Sequence, residues 1–286
     1  MKISERLLPY LRLVRAPAVF SAVGDPLTGM LVASGRLSVG RAAGVVLASA
    51  STYLAGMALN DVADREEDAR ERPERPIPSG AVGVGQAAAL GAGLLGLGLM
   101  LARSAGARRT GPALAASVLA YNFALKRTTL GPAAMGACRA LSLLTGAEAA
   151  ARGAGLRRGL GAAAILGGYV AGLTVLARGE TEETGNRTPL PGVVVGGAAL
   201  AAAAVRGGRR ALPWTIAAAA LAGGAVRRAV AEPGPAAVGP AVGSMIRAIP
   251  ALDAALAAPR SPGRSALIFP PLLALVRWGR KLIPIS

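Results

Sequence analysis

The sequence predicts an all-α membrane protein, a polytopic helical bundle of about nine transmembrane helices. Two observations lead to this fold class. The chain is strongly apolar, since 53% of its 286 residues are hydrophobic and its mean hydropathy is +0.48. The apolar residues also form stretches long enough to cross a bilayer, with charged residues between them. A water-soluble domain of this length could hide so much apolar surface only in an unusually large core.

The predicted spans follow one another with short connections. They comprise residues 15–34, 41–60, 85–102, 110–126, 131–151, 159–177, 189–205, 211–226 and 265–279. Residues 1–14 are expected to form an amphipathic lead-in on the membrane surface, because prolines and arginines interrupt them too often for a signal peptide. Region 227–263 is broken by Pro and Gly, and it holds either an interfacial segment or another helix. Small residues inside the spans predict closely packed helices.

The composition excludes several kinds of chemistry. The chain has no histidine, and Cys138 is its only cysteine. This removes Ser-His-Asp and Cys-His catalysis, zinc sites built from His or Cys, and intramolecular disulfides. The net charge of +17 arises from short basic clusters between apolar stretches, which is typical of membrane flanks and not of a nucleic-acid surface. We expect the lipid bilayer as a partner and no nucleic acid, and the oligomeric state stays open.

The acidic residues are concentrated in two segments. Ten of the 15 acids lie in residues 61–74 or 180–183. These belong to the connections 61–84 and 178–188, which follow the second and sixth predicted spans. Four crossings separate the connections, so both open to the same side of the membrane and could share a ligand. A small excess of basic residues on that side agrees with cytoplasmic acidic loops, although it is too small to determine the orientation alone. We expect a multi-pass protein of the bacterial inner membrane with these loops in the cytoplasm.

The first acidic segment has the spacing of a cation site. On a continuing helix, Asn60, Asp64 and Asp68 lie four residues apart and share one face. Magnesium prefers oxygen ligands and is commonly held by one or two carboxylates together with substrate phosphates. The alternative interpretation is a solvated helix whose carboxylates pair with neighbouring arginines such as Arg65 and Arg75.

The residues that follow extend the motif and carry a family resemblance. Asn60-Asp61-x-x-Asp64-x-x-x-Asp68 is followed by Arg75-Pro-Ile-Pro-Ser-Gly80. In both parts the chain resembles the UbiA superfamily of intramembrane prenyltransferases. Tyr10 to Pro17 is similar to the family's N-terminal helix. The resemblance implies a UbiA-like bundle forming one transmembrane prenyltransferase-like domain over residues 1–286.

Two later stretches extend the resemblance. Residues 121–127 are similar to the end of the family's fourth span, with one extra residue between Tyr121 and Lys126. Residues 136–141 resemble the family's fifth helix with its inward Arg139. Together with Lys126-Arg127-Thr128, they are also similar to the EboC-type bacterial branch.

The resemblance implies a reaction and assigns its residues. A polyprenyl diphosphate would donate its isoprenoid chain to an aromatic or other small acceptor, with Mg²⁺ assisting the loss of diphosphate. The implied metal ligands are Asn60, Asp64, Asp68, Glu180 and Glu183. The implied diphosphate ligands are Arg75, Lys126 and Arg139. The implied catalytic residues are Asp61, Tyr121 and Lys126.

The second acidic segment departs from the family pattern. Members usually carry Asp-x-x-x-Asp after the sixth span, whereas this chain has Glu180 and Glu183, three residues apart. They could share a face and hold a second ion, although their longer side chains place the oxygens differently. The alternative is that these glutamates only end a helix in water.

The acceptor is not identified by any one residue. The candidates for an orienting or basic group are Asp25, Asp61, Tyr121, Glu148 and Tyr169. For Glu148 we favour a structural role, pairing with Arg139 or Arg152.

Three other functions compete with prenyl transfer. A transporter would more often show an inverted repeat and acids in the middle of spans. A CDP-alcohol phosphotransferase would carry an Asp-Gly-x-x-Ala-Arg motif, which is missing. A non-catalytic relative that binds an isoprenoid lipid is the most serious alternative, because the second acidic motif is degenerate.

Overall fold

The computed structural model describes residues 7–181 and 189–282, and every regular element in these ranges is helical. The helices are α1 (Leu8–Leu13), α2 (Gly24–Ser34), α3 (Val39–Ala63), α4 (Arg65–Glu71), α5 (Val84–Ser104), α6 (Thr110–Ala120), α7 (Gly131–Thr181), α8 (Leu190–Ala231), α9 (Pro235–Ala257) and α10 (Pro262–Leu282). A 3₁₀ segment (Ala16–Ser21) lies between α1 and α2, and a π-helical turn (Tyr121–Leu125) continues α6. The predicted all-α fold class is confirmed.

Seven of the nine predicted spans correspond to one helix or to half of one. Span 15–34 combines the 3₁₀ segment with α2, and span 110–126 combines α6 with the π-helical turn. Helix α7 is broken at Ala151 and Arg152, where φ is −149° and 48°. Helix α8 is broken at Gly208, where φ is 55°. Each break separates two spans that the sequence analysis had counted separately.

Several of these helices have the length and apolar composition of membrane spans. Within the described ranges, five helical segments meet both criteria: Leu8–Ser34, Val39–Ala63, Val84–Ser104, Gly131–Arg178 and Leu190–Ala231. Large apolar side chains also cover the outside of the bundle, including Met100 (68% exposed), Val205 (85% exposed) and Leu267 (75% exposed). Such a surface would be unfavourable in water and is suited to lipid. The protein is an integral membrane protein.

The region that the sequence left unassigned contains α9, one of the most buried helices. Pro240 and Pro250 lie inside this helix, which is why its apolar pattern reads as interrupted. It packs against both α7 and α8, and the hydroxyl of Tyr169 donates to the carbonyl oxygen of Met245 at 3.0 Å. Neighbouring helices therefore support the prolines that would weaken an isolated helix.

Helices α2 and α7 cross with their backbones in contact, as the small residues in the spans predicted. A Cβ atom at Gly29 would overlap the carbonyl oxygen of Leu143, and one at Gly146 would overlap that of Pro26. Only glycine permits this approach at either position. The crossing fixes the part of α2 that follows Asp25 against the first half of α7.

The predicted pairing of Glu148 with Arg139 or Arg152 is wrong, and this carboxylate has a different structural role. Its carboxylate accepts hydrogen bonds from the backbone N–H groups of Arg109 and Thr110, at 3.1 and 2.9 Å, and from the Thr110 hydroxyl at 2.7 Å. The first N–H groups of a helix have no partner within that helix. Glu148 of α7 therefore caps α6 from a neighbouring helix, and the negative charge also suits the positive end of the helix dipole.

We expect Glu148→Ala to lower the free energy of unfolding by about 2 kcal/mol, because it leaves buried N–H groups without an acceptor. Thermal unfolding in detergent would measure the loss. The matched control is Glu66→Ala, whose side chain is 81% exposed and pairs only with its neighbour Arg65 among the described residues. Equal melting temperatures for the two variants would contradict the capping role.

Candidate active site

The first acidic motif lies at the junction of two helices. Helix α3 ends at Ala63 and α4 begins at Arg65, so Asp64 joins them and the helix is not continuous through the motif. Backbone hydrogen bonds between residues four apart persist through the junction: Asp64 N–H donates to Asn60 O at 2.9 Å, and Asp68 N–H donates to Asp64 O at 2.8 Å. The predicted spacing is therefore kept across the junction, while the side chains take different directions.

Asn60 and Asp64 form a polar cluster with Lys126, which lies just after the π-helical turn. The amide nitrogen of Asn60 donates to Asp64 Oδ2 at 3.0 Å, and Lys126 Nζ donates to Asn60 Oδ1 at 3.3 Å. Lys126 also forms an ion pair with Asp64, and Arg127 Nη2 approaches Asp64 Oδ1 at 3.2 Å. The structure thus brings together two predicted metal ligands and one predicted diphosphate ligand.

Asp68 does not join that cluster. Both of its oxygens accept from Arg75 Nη1, at 2.8 and 2.7 Å, and its side chain is only 3% exposed. Arg72 lies 3.8 Å from the same carboxylate. The alternative prediction, in which arginines pair with neighbouring acids, therefore describes Asp68 and Arg75 in this state. Arg75 can contact a diphosphate only by giving up part of this pairing.

Asp61 pairs with an arginine of the N-terminal segment that was not among the predicted site residues. Arg15 Nη2 donates to Asp61 Oδ1 at 2.8 Å, and Arg15 Nη1 lies 3.1 Å from Met57 Sδ. The backbone of Arg15 has φ 47° and ψ 49°, a left-handed conformation that is uncommon outside glycine. Its contacts with α3 hold the residue in this strained conformation.

A cavity of about 220 Å³ runs into the bundle beside this acidic end. It is lined by Arg15, Ala22, Asp25, Ser49, Thr52, Tyr53, Gly56, Met57, Asn60, Leu114, Val118, Tyr121, Asn122, Met135, Cys138, Arg139 and Ser142. We call the Asn60 end the mouth and the end at Asp25, Ser49, Arg139 and Ser142 the floor. Asn60 and Ser49 lie 11 residues apart on α3, so mouth and floor are separated by about 16 Å along the helix.

Arg139, a predicted diphosphate ligand, lies at the floor of the cavity and not at the mouth. Its Nη2 donates to Asp25 Oδ1 at 2.8 Å and also to the backbone oxygen of Ser21. The side chain is 11% exposed, and that of Asp25 is fully buried. Arg139 is therefore far from Lys126 and Arg75 along the cavity axis.

The other orienting candidates divide into two groups. Tyr121 and Asp25 line the cavity. Asp61, Glu148 and Tyr169 are not among its lining residues and have the partners given above. The sequence analysis also missed Asp253 of α9, which is fully buried, although a single acid in an apolar stretch is itself a signal of function.

The end of α7, which leads into the second acidic segment, lies close to the first motif. Arg178 Nη2 donates to the carbonyl oxygens of Lys126, at 2.7 Å, and of Thr128. Lys126 contacts Asp64, so the end of α7 and the first motif lie at the same end of the bundle. Glu183 and the side chain of Glu180 lie outside the residues that the structure describes.

The donor atoms at the mouth suit a hard cation. Asn60 and Asp64 offer amide and carboxylate oxygens in direct contact, and magnesium is commonly held by few protein oxygens with substrate phosphates completing the shell. Over residues 7–181 and 189–282, no three acidic or cysteine side chains converge. The described residues thus fit a magnesium ion that is bound together with an anionic ligand.

The fold and the cavity define a class: polytopic helical membrane proteins with an apolar cavity and an acidic, oxygen-rich mouth. The UbiA prenyltransferase family model matches residues 23–177, which is more than half of the chain, and the chain belongs to this family. The family resemblance identified in the sequence motifs is confirmed.

Relatives of this chain include a digeranylgeranylglyceryl phosphate synthase from Ignicoccus hospitalis. The two are 39% identical over 159 residues, which cover 54% of this chain and 52% of that protein. The match thus spans about half the length of the relative.

Two solved structures share the fold. A UbiA homologue from Aeropyrum pernix K1 has a TM-score of 0.68 at 20% identity, over 82% of this chain and 96% of that one. A UbiA homologue from Archaeoglobus fulgidus, solved with DMAPP and Mg²⁺, has a TM-score of 0.50 at 16% identity, over 97% and 99%. At these identities the likeness establishes the architecture.

Proposed function

We propose that the protein is a membrane-embedded, magnesium-dependent prenyltransferase. It transfers an isoprenoid chain from a polyprenyl diphosphate to an aromatic or other small acceptor and releases diphosphate. The observation that carries this proposal is the cavity, which connects the Asn60–Asp64–Lys126 cluster to an apolar interior. The name of the Ignicoccus relative and the ligands of the Archaeoglobus homologue support the same chemistry.

We assign the diphosphate end of the donor to the mouth. Asn60, Asp64 and Asp68 would hold magnesium, with Glu180 and Glu183 as the opposing ligands. When bound, magnesium supplies Lewis-acid stabilisation of the leaving diphosphate.

The chain's own cations complete the donor site. Lys126 and Arg75 would donate to phosphate oxygens and balance the charge that develops as the allylic carbon–oxygen bond breaks. Both side chains are 12% exposed and are now paired with Asp64 and Asp68, so the anionic donor competes with carboxylates for them.

The walls of the cavity protect the developing cation. Leu114, Val118 and Met135 line it with apolar atoms that exclude water, which would otherwise capture the cation. Tyr53 and Tyr121 also line the cavity, and an aromatic face stabilises a nearby positive charge. This is the catalytic role that we propose for Tyr121. Asp61 would act from outside the cavity by holding Arg15 at the mouth.

The experiment that tests this function is a prenyl-transfer assay with purified, detergent-solubilised protein. Radiolabelled prenyl diphosphates of several chain lengths would be incubated with a cell extract as the source of acceptor. A labelled lipid product that requires magnesium would support the enzyme. Donor that binds and is recovered intact at every chain length would instead support a lipid-binding relative.

The lipid-binding alternative has one specific observation in its favour. Asp61, Asp64 and Asp68 are all paired with basic side chains, as they would be in a site that never binds a metal ion. Magnesium binding measured by calorimetry, with and without a prenyl diphosphate, separates the two cases. An enzyme should bind the ion more tightly when the diphosphate is present, since the phosphates supply ligands.

The second acidic segment gives a further prediction. Glu180→Ala and Glu183→Ala should each raise the magnesium concentration needed for half-maximal turnover by about tenfold or more, because each removes one ligand. Turnover would be titrated with magnesium, and Thr181→Ala would serve as a control from the same segment. Identical curves for all variants and the wild type would show that the segment holds no ion.

We infer that the protein resides in the cell membrane with residues 61–84 and 178–188 facing the cytoplasm. In a Cys138→Ala background, Glu66→Cys and Glu182→Cys should react with a membrane-impermeant maleimide only after the cytoplasmic side is opened. Residue 36 precedes α3 and residue 66 follows it, so the two lie at opposite ends of this helix. Arg36→Cys should therefore react in intact cells. Labelling of the two acidic segments from opposite sides of the membrane would contradict the proposal that they share one site.

A further inference from the structure

The floor of the cavity contains a buried ion pair that has no role in the proposed diphosphate site at the mouth. Asp25 and Arg139 both line the cavity, and Arg139 Nη2 holds Asp25 Oδ1 at 2.8 Å. In the part of the chain that the structure describes, Asp25 Oδ2 and Arg139 Nε have no hydrogen-bond partner. Leaving such atoms unpaired in a buried site is unfavourable, so a ligand that satisfies both would be bound preferentially.

A second carboxyl group lies behind this pair. Asp253 of α9 is fully buried, and neither of its carboxyl oxygens has a hydrogen-bond partner among the described residues. A Cβ atom at Gly24, the residue before Asp25, would lie 2.5 Å from Asp253 Oδ2. The Arg139 guanidinium also interacts electrostatically with Asp253. One guanidinium thus serves two carboxyl groups, and the floor has no uncompensated positive charge with which to hold an anion.

We propose, building on the prenyl-transfer function, that the floor selects an acceptor with an uncharged hydroxyl group, which donates to Asp25 Oδ2 and accepts from Arg139 Nε. A hydroxyl is both donor and acceptor and so matches the two free atoms. A carboxylate only accepts and would be repelled by Asp25 Oδ2. An ammonium group only donates and would leave Arg139 Nε unpaired beside another positive charge. The cavity volume of about 220 Å³ restricts the acceptor's head to a small group.

Three probes with the same ring and different polar groups test this proposal: benzyl alcohol, benzoate and benzylamine. Their binding to the full-length protein in nanodiscs would be measured by equilibrium dialysis, with protein-free nanodiscs subtracted. We expect benzyl alcohol to bind at least about tenfold more tightly than the other two, because each of them leaves a floor atom unsatisfied. Benzoate or benzylamine binding as tightly as the alcohol would overturn the proposal, as would no saturable binding of the alcohol.

A variant pair connects the selectivity to Asp25. Asp25→Asn should reduce the preference for benzyl alcohol over benzoate by at least about tenfold, because it removes the negative charge that repels a carboxylate and leaves Asp253 alone to balance Arg139. Thr145→Val is the control, since Thr145 is buried on the same helix as Arg139, bonds only to Leu141 O among the described residues, and does not line the cavity. An unchanged preference in Asp25→Asn would contradict the proposal.

Binding of the three probes to the wild-type protein tests the proposal even when Asp25→Asn does not fold. These binding ratios do not depend on donor consumption. Loss of the hydroxyl preference with normal magnesium-dependent release of diphosphate would remove only this inference. Absence of diphosphate release with every donor would instead remove the proposed function.

Discussion

Asp64→Asn is expected to reduce prenyl transfer by at least about 100-fold while the protein remains folded, because the variant loses the charge of a proposed metal ligand at the mouth. The side chain of Asp64 is 17% exposed and contacts Asn60, which lines the cavity, and asparagine keeps its shape without disturbing the core. Turnover at saturating donor and thermal unfolding would be measured on the same preparation. Undiminished turnover would contradict the metal-site assignment.

Two further variants separate loss of function from loss of structure. Glu66→Gln lies on the neighbouring helix turn with an 81% exposed side chain and should keep full activity. Asp68→Ala should reduce both activity and stability, the latter by about 3 kcal/mol, because it leaves the largely buried Arg75 without its hydrogen-bonded carboxylate partner. Asp68→Ala protein with wild-type stability would show that this ion pair contributes nothing to the fold.

Gly146→Ala is expected to lower the free energy of unfolding by about 3 kcal/mol or to prevent folding, because the added methyl group overlaps the carbonyl oxygen of Pro26. The crossing of α2 and α7 would have to widen. Asp25 and Arg139 lie on these two helices, so the floor of the cavity would change with it. Thermal unfolding in detergent and the yield of monodisperse protein would report the effect.

Gly168→Ala provides the matched control on the same helix. A Cβ atom at Gly168 would meet no other atom within 4 Å, and alanine favours a helix over glycine by up to about 1 kcal/mol. This variant should therefore be as stable as the wild type or more so. Equal stability of Gly146→Ala and Gly168→Ala would show that the helices can separate at no cost.

Much of the fold could be predicted because a membrane requires long apolar segments. The spans at residues 41–60 and 85–102 lie inside α3 and α5, whose ends are set by charged or Gly-rich connections. Helix α9 was only one of two alternatives for its region, because hydropathy is averaged over sequence and Pro240 and Pro250 lower it. The support for those prolines comes from neighbouring helices, which no local pattern contains.

The candidate site was predictable only in part for a related reason. The structure brings Asn60 and Asp64 of the motif beside Lys126, and helical spacing keeps the two motif residues close to each other. The pairing of Asp68 with Arg75 follows the alternative interpretation of the motif, whereas the pairing of Arg139 with Asp25 at the floor was not predicted. The Arg139–Asp25 pairing depends on how α7 packs against α2, and a charged residue in a span does not identify its partner.

The proposed enzyme consumes a prenyl diphosphate in this cavity and does not merely bind it. The most direct test is to measure diphosphate release and labelled lipid formation together in one reaction with the purified protein, a labelled donor and an acceptor extract. We predict that the two appear in equal amounts, require magnesium and are lost in Asp64→Asn. Donor recovered intact from a saturated wild-type protein in the presence of magnesium and extract would contradict the account.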